Sequence, residues 1–314
     1  MNHRSNLLTL SLIALADAWT PNAAATTSHD SWNEPCRATA SRARKGNLLD
    51  ARADYWVQLG KCANVSDLGD RVDCVFETFQ EYWDRVEEAG EIYEARLDLC
   101  TALGGGRYDP EIDPDDFSTT IDNPYLPLVP GVTRTYEAFS DGELETIVVT
   151  VTSETREIMG VECVVVRDVV TIDGESIEDT FDYFAQDAQG NVWYFGEIAM
   201  NYEDGYLVDV DGSWIAGVDG AKAGIVMKAA PCTGDVYRQE FLLDEAEDAG
   251  RVLSLAAQAT VPAGMFSNCL KTLDFTPLEP GHEEEKFYAL GVGLVLEVSP
   301  ENGNRVELIS VTGP

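Results

Sequence analysis

From residue 143 onward, apolar and polar positions alternate with a period of two, in runs cut by glycine. Four runs (143–152, 161–167, 179–185 and 191–197) are rich in β-branched and aromatic residues, which suit a pleated, half-buried surface. Asp173-Gly174 supplies the positive φ values of a tight hairpin turn, and Gly160 and Gln189-Gly190 cut the other runs. Four such runs in succession predict an antiparallel meander. Strand patterns resume at 236–241, 251–261, 268–275, 284–290, 293–298 and 305–311. About ten strands joined by short turns predict an antiparallel β barrel or sandwich. Between 213 and 234 the alternation stops. Gly217, Gly220, Gly224 and Gly234 read as a long loop, a covering flap whose Trp214 and Ile225 complete the core or a functional segment.

Ahead of the strands, residues 34–103 follow a helical period. Phe76, Phe79, Trp83 and Val86 recur at steps of three and four among charged neighbours. Cys36 and Cys62 stand as far apart as Cys74 and Cys100. An antiparallel helical hairpin bent near 65–70 therefore places Cys62 opposite Cys74 and Cys36 opposite Cys100, which predicts two disulfides pinning its ends. Lys45-Gly46-Asn47 is a point where the first helix could be interrupted, which would spoil this register. Zinc ligation is disfavoured, because its cysteines fall two to four apart. The fold class is α+β: a disulfide-linked helical hairpin, then the β domain.

The chain divides into a signal peptide over 1–25, the hairpin over 34–103, an acidic, proline-rich linker over 104–123 and the β domain over 124–314. The signal reading rests on Arg4, the apolar run 7–16 and the small residues Ala23 to Ala25. Its apolar run is too short to span a bilayer, and no later stretch suits a membrane-crossing helix. A secreted or periplasmic protein without membrane insertion follows. Cys163 and Cys269, each mid-strand, are expected to form a third disulfide, leaving Cys232 free.

Charge narrows the function. With 56 acidic against 21 basic residues, the formal net charge of −35 repels nucleic acid and anionic membrane surfaces. Asp109, Asp113, Asp115 and Asp116 in the linker are candidate ligands for calcium, although the EF-hand spacing is absent and a solvated linker is the plainer reading. No other cofactor is indicated. Only three histidines occur, and His3 lies in the signal segment, so Ser-His-Asp, Cys-His and multi-histidine metal chemistry are disfavoured. No phosphate-binding glycine motif accompanies a βαβ pattern.

What remains is a pocket formed by polar and ring residues on strands. The candidates for ligand binding are Asp182, Tyr183, Trp193, Trp214, Arg238 and Glu240, with Arg238 and Glu240 read as sharing one strand face. The plainer alternative is an outward-facing, solvated Arg238–Glu240 pair.

The phrases Asn123-Pro-Tyr-Leu-Pro-Leu128, Gly190-Asn-Val-Trp-Tyr-Phe-Gly-Glu197, Gly234-Asp-Val-Tyr-Arg-Gln-Glu240 and Gly291-Val-Gly-Leu-Val-Leu-Glu297 together resemble a group of uncharacterised secreted bacterial β-rich proteins. The resemblance covers about residues 108–300 and implies an exported bacterial β domain with no assigned activity. The reading is a secreted or periplasmic binding or envelope-associated protein, its partner an unknown small molecule or envelope component. The alternatives are an extracellular hydrolase or lyase working through carboxylates, with or without calcium, and a purely structural surface protein.

Overall fold

The computed structural model describes residues 34–140 and 142–313, so the signal segment lies outside the described residues. Two helices open the fold, α1 (Pro35–Cys62) and α2 (Leu68–Ala102). Asp67 caps α2 by accepting from the amides of Gly69 and Asp70, which fixes the bend. Both predicted disulfides of the hairpin form, Cys36–Cys100 and Cys62–Cys74, each with a Cα–Cα distance of 5.6 Å. The break expected at Lys45-Gly46-Asn47 does not occur, and α1 runs through it unbroken. A mid-helix glycine costs only about 1 kcal/mol. Here the helix is tied at both ends, and Asn47 donates to Asp244 at 2.9 Å.

The sheet is built from β1 (Phe117–Ser118), β2 (Thr133–Ser140), β3 (Glu143–Ile158), β4 (Val161–Ile172), β5 (Glu175–Asp187) and β6 (Val192–Glu203). Next come β7 (Tyr206–Asp209), β8 (Trp214–Ile215), β9 (Lys222–Met227), β10 (Val236–Arg238) and β11 (Glu240–Phe241). The last five are β12 (Ala249–Val261), β13 (Gly264–Phe275), β14 (Glu283–Ala289), β15 (Gly293–Val298) and β16 (Arg305–Thr312). Every registered pair is antiparallel, and the path runs β10-β12-β13-β14-β15-β16-β2-β3-β4-β5-β6-β9-β11. Its two ends, β10 and β11, are one stretch of chain separated by Gln239. The sheet thus curls into a nearly closed barrel, with residues 236–241 as the closing strand.

That closure explains why 213–234 is not one long loop. β9 pairs with β6 on one side and β11 on the other, although Lys222-Ala-Gly-Ile-Val-Met227 lacks a strand period. Gly224 is required there, because a Cβ would collide with the backbone of Gln239 and Glu240 as the closing strand crosses it. Trp214 completes the core as a covering residue would, 3% exposed.

Pleating sorts the side chains into two sets. Val164 and Val166 point inward, with Val151, Val192, Met227, Leu270 and Tyr288 in one cluster. Their neighbours Val161, Cys163 and Val165 point outward and are covered by Trp214, Ala216 and Phe117. The 104–123 segment is no free linker. Tyr108 donates to the Ala223 carbonyl at 2.8 Å, Phe117 and Ser118 pair with β5, and Ile112 packs on the outer cluster.

The expected Cys163–Cys269 disulfide is absent, and both are buried free thiols. Five strand positions separate β4 from β13 by either route around the barrel, so the two sulfurs sit on opposite walls, in different clusters. The apolar stripe of α2 also departs from expectation. Its outer part stays exposed, at Phe76, Phe79 and Trp83, whereas Ile92, Arg96 and Leu99 nearer the base are buried.

Candidate functional site

Two cavities lie on either side of the closing strand. One is a cleft of about 710 Å³ between the base of the hairpin and the outside of the barrel; the other, about 310 Å³, lies in the lumen. The six candidate ligand residues divide among three places. Asp182 and Glu240 line the lumen, and Arg238 lines the cleft. Tyr183, Trp193 and Trp214 belong to the outer apolar cluster. Arg238 and Glu240 do not share a face, because the closing strand changes partner at Gln239, from β12 to β9. The outward solvated pair fails too, since Arg238 is 6% and Glu240 8% exposed.

The cleft is roofed by Cys36, Thr39 and Arg96 of the hairpin and floored by Tyr108, Arg238 and Phe241. Arg96 sits on the buried face of α2, one turn from both Ile92 and Leu99, and is 3% exposed. Its Nε donates to both oxygens of Glu247 at 3.1 Å, and its Nη2 to Glu247 at 2.5 Å and Asp244 at 2.9 Å. Burial lowers the Arg96 pKa, but the hydrogen bonds and charges of Glu247 and Asp244 together more than offset it, so the net shift is upward. Arg238 differs. Burial lowers its pKa, and the nearby Glu247 charge does not make this good. No described side chain or carbonyl hydrogen-bonds its Nε or Nη1; its guanidinium lies 4.7 Å from the Phe241 ring centre and 5.7 Å from that of Tyr108. Nη1 of Arg96 is likewise buried without a partner. Two buried guanidiniums thus face one fully buried carboxylate, Glu247, leaving three nitrogens without a partner, one in the roof and two in the floor.

The lumen is acidic. Asp168, Asp182, Glu240, Asp248 and Asp274 line it, with Lys286 and Arg134 as its cations. Tyr194 donates to Asp182 at 2.6 Å. Burial, reinforced by Glu197, pushes Asp182 up to about 7. Asp168 rises to about 7 through burial and the Asp182 charge, and Glu197 to about 7 chiefly through burial. Lys286 lies 3.2 to 3.6 Å from Glu284, Glu297 and Asp274. Arg134 is satisfied by the carbonyls of Val292 and Pro127, both at 2.8 Å.

The four linker acids do not come together. Asp109 is held by Lys222 and Asp113 accepts from the Asp115 amide, while Asp115 and Asp116 stay exposed. Among the described residues no group of three or more His, Cys, Asp or Glu side chains is arranged to hold a metal ion.

Sequence reasoning missed Arg96, Tyr108 and Glu247 in the cleft and Asp168, Tyr194 and Lys286 in the lumen. Arg96 carried a legible signal, an arginine on an apolar helical stripe. Asp168 carried another, an acid at an inward position after Val164 and Val166.

No family model matches the chain, and no curated protein matches it. Among solved structures it is similar to a "putative lipoprotein" from Parabacteroides distasonis ATCC 8503, at 14% identity and a TM-score of 0.33, over 60% of this chain and 98% of that one. A likeness this distant carries no argument about function. No helix among the described residues is long and apolar enough to cross a membrane.

Proposed function

We propose that this is an exported binding protein that lodges a small molecule in the cleft between the hairpin and the barrel. The observation that carries the reading is the cleft itself: about 710 Å³, within the usual range for small-molecule sites, with apolar walls and a few convergent polar groups. Export is supported by the two hairpin disulfides, which persist in oxidising compartments. Association with the cell envelope fits the same reading.

Native mass spectrometry of protein purified from a secreting host tests it. A retained molecule of a few hundred daltons is expected, and Thr39→Trp, which fills the cleft from α1, should release it while the fold persists. Retention undiminished by Thr39→Trp would overturn the placement, and failure to retain any molecule under varied growth conditions would overturn the function.

A second reading rests on the lumen. Carboxyls raised to about 7 by burial and by neighbouring acids suit acid–base chemistry on a bound substrate. Hydrolysis of ester or glycoside substrates that disappears in Asp182→Asn would favour it; equal turnover in both proteins would end it.

A further inference from the structure

We infer that the cleft recognises an amphipathic anion, a carboxylate or phosphate group carried on an apolar body, with Arg238 and Arg96 holding the anionic head. The inference rests on the cleft reading and adds the class of ligand.

Three observations converge. First, the charges do not balance. Arg96, Arg238 and Glu247 are 3%, 6% and 1% exposed, two cations against one anion. The nearest further carboxylate, Asp244, is directed at Arg96 and is 42% exposed at its side chain. Arginine cannot shed its proton in a protein, so the surplus positive charge persists at any working pH. Second, donors are left over. Nε and Nη1 of Arg238 and Nη1 of Arg96 have no hydrogen-bond partner among the described residues, and both side chains line the same cavity. A buried donor left without a partner is destabilising, and an oxyanion would supply that partner. Third, the surroundings are greasy. Leu103, Tyr108, Phe241, Leu242 and Leu243 line the cavity, and the Tyr108 and Phe241 rings lie within cation–π reach of the Arg238 guanidinium. A bare inorganic anion would leave that wall uncovered.

The remaining charges do not contradict this. Lys222 is taken by Asp109, and Arg107 is exposed at the cleft edge. Asp219 and Glu245 line the cavity as well, both exposed to water, where they repel an anion weakly.

Titration calorimetry with a charge series tests the assignment on the unaltered protein. Decanoate and decyl phosphate should bind about tenfold or more tightly than decanol, which offers the same chain without the charge. Decyltrimethylammonium should bind worse than decanol. Acetate and inorganic phosphate, the heads alone, should bind at least about tenfold more weakly than their decyl counterparts. Arg238→Gln should erase the advantage of decanoate over decanol, and Arg238→Lys should keep part of it. Equal binding of decanoate and decanol would overturn the inference and leave the cleft reading standing. Failure of every decyl compound, decanol included, would remove both. Should Arg238→Gln fail to fold, the charge series decides without it.

Discussion

The cleft and the lumen share one strand, yet their electrostatics are opposite. Arg238 turns to the cleft, where guanidiniums outnumber buried carboxylates, and Glu240 turns to the lumen, where carboxylates outnumber cations. In the cleft the surplus charge cannot neutralise itself. In the lumen it can, because carboxyls take up protons, and Asp168, Asp182 and Glu197 hold theirs up to about pH 7. An unbalanced arginine therefore points to an external anion, while unbalanced carboxylates point first to protons. Arg134 sharpens the contrast: it is as buried as Arg238, but two carbonyls satisfy it.

The comparison can be broken most forcefully at Glu247. Glu247→Gln removes the one fully buried carboxylate facing two guanidiniums, and urea denaturation should show a loss of about 3–5 kcal/mol. Near-neutral behaviour would mean that the cleft charges are solvated after all. Next, Cys36→Ser with Cys100→Ser unlinks a 64-residue separation at the cleft roof and should cost about 2–4 kcal/mol, read from the same unfolding curves.

The lumen should respond to pH. An unfolded Asp releases its proton near 4, whereas folded Asp168 and Asp182 keep theirs to about 7. Between these values the folded state binds more protons. Their contribution to stability is thus fully present below about pH 4 and is lost as the pH rises to 7. Each carboxyl accounts for at most about 1.4 kcal/mol per pH unit, less what lumen water screens. Asp182→Asn should flatten part of this fall and raise the melting temperature at pH 7. A melting temperature that climbs in the wild type from pH 5 to 7 relative to Asp182→Asn would contradict the burial of that acid. Smallest of all, Asp179→Ala removes an exposed-side ion pair with Arg167 and should cost less than about 1 kcal/mol, a control lying in neither cavity.

Much of the fold was legible because its signals are local. Equal cysteine intervals identify the hairpin pairing, and Asp173-Gly174 identifies a turn, with φ of 50° and 85°. Signals that depend on closure were not legible. β9 carries Ala223 and Gly224 because another strand crosses it, so its small residues read as loop. Two mid-strand cysteines look joinable until the barrel sets them on opposite walls. Arg238 and Glu240 look coplanar until Gln239 passes the chain from one ladder to the next. The site was half legible for the same reason: residue types were informative, but which chamber each enters depends on the closing strand.

That closing strand is held by few rungs. Residues 236–238 register with three partners on β12, and residues 240–241 with two on β9, against the long ladder between β3 and β4. Amide deuteration should therefore proceed faster here than in β3 and β4, and a single local opening would breach both chambers at once, since each takes a wall from these six residues.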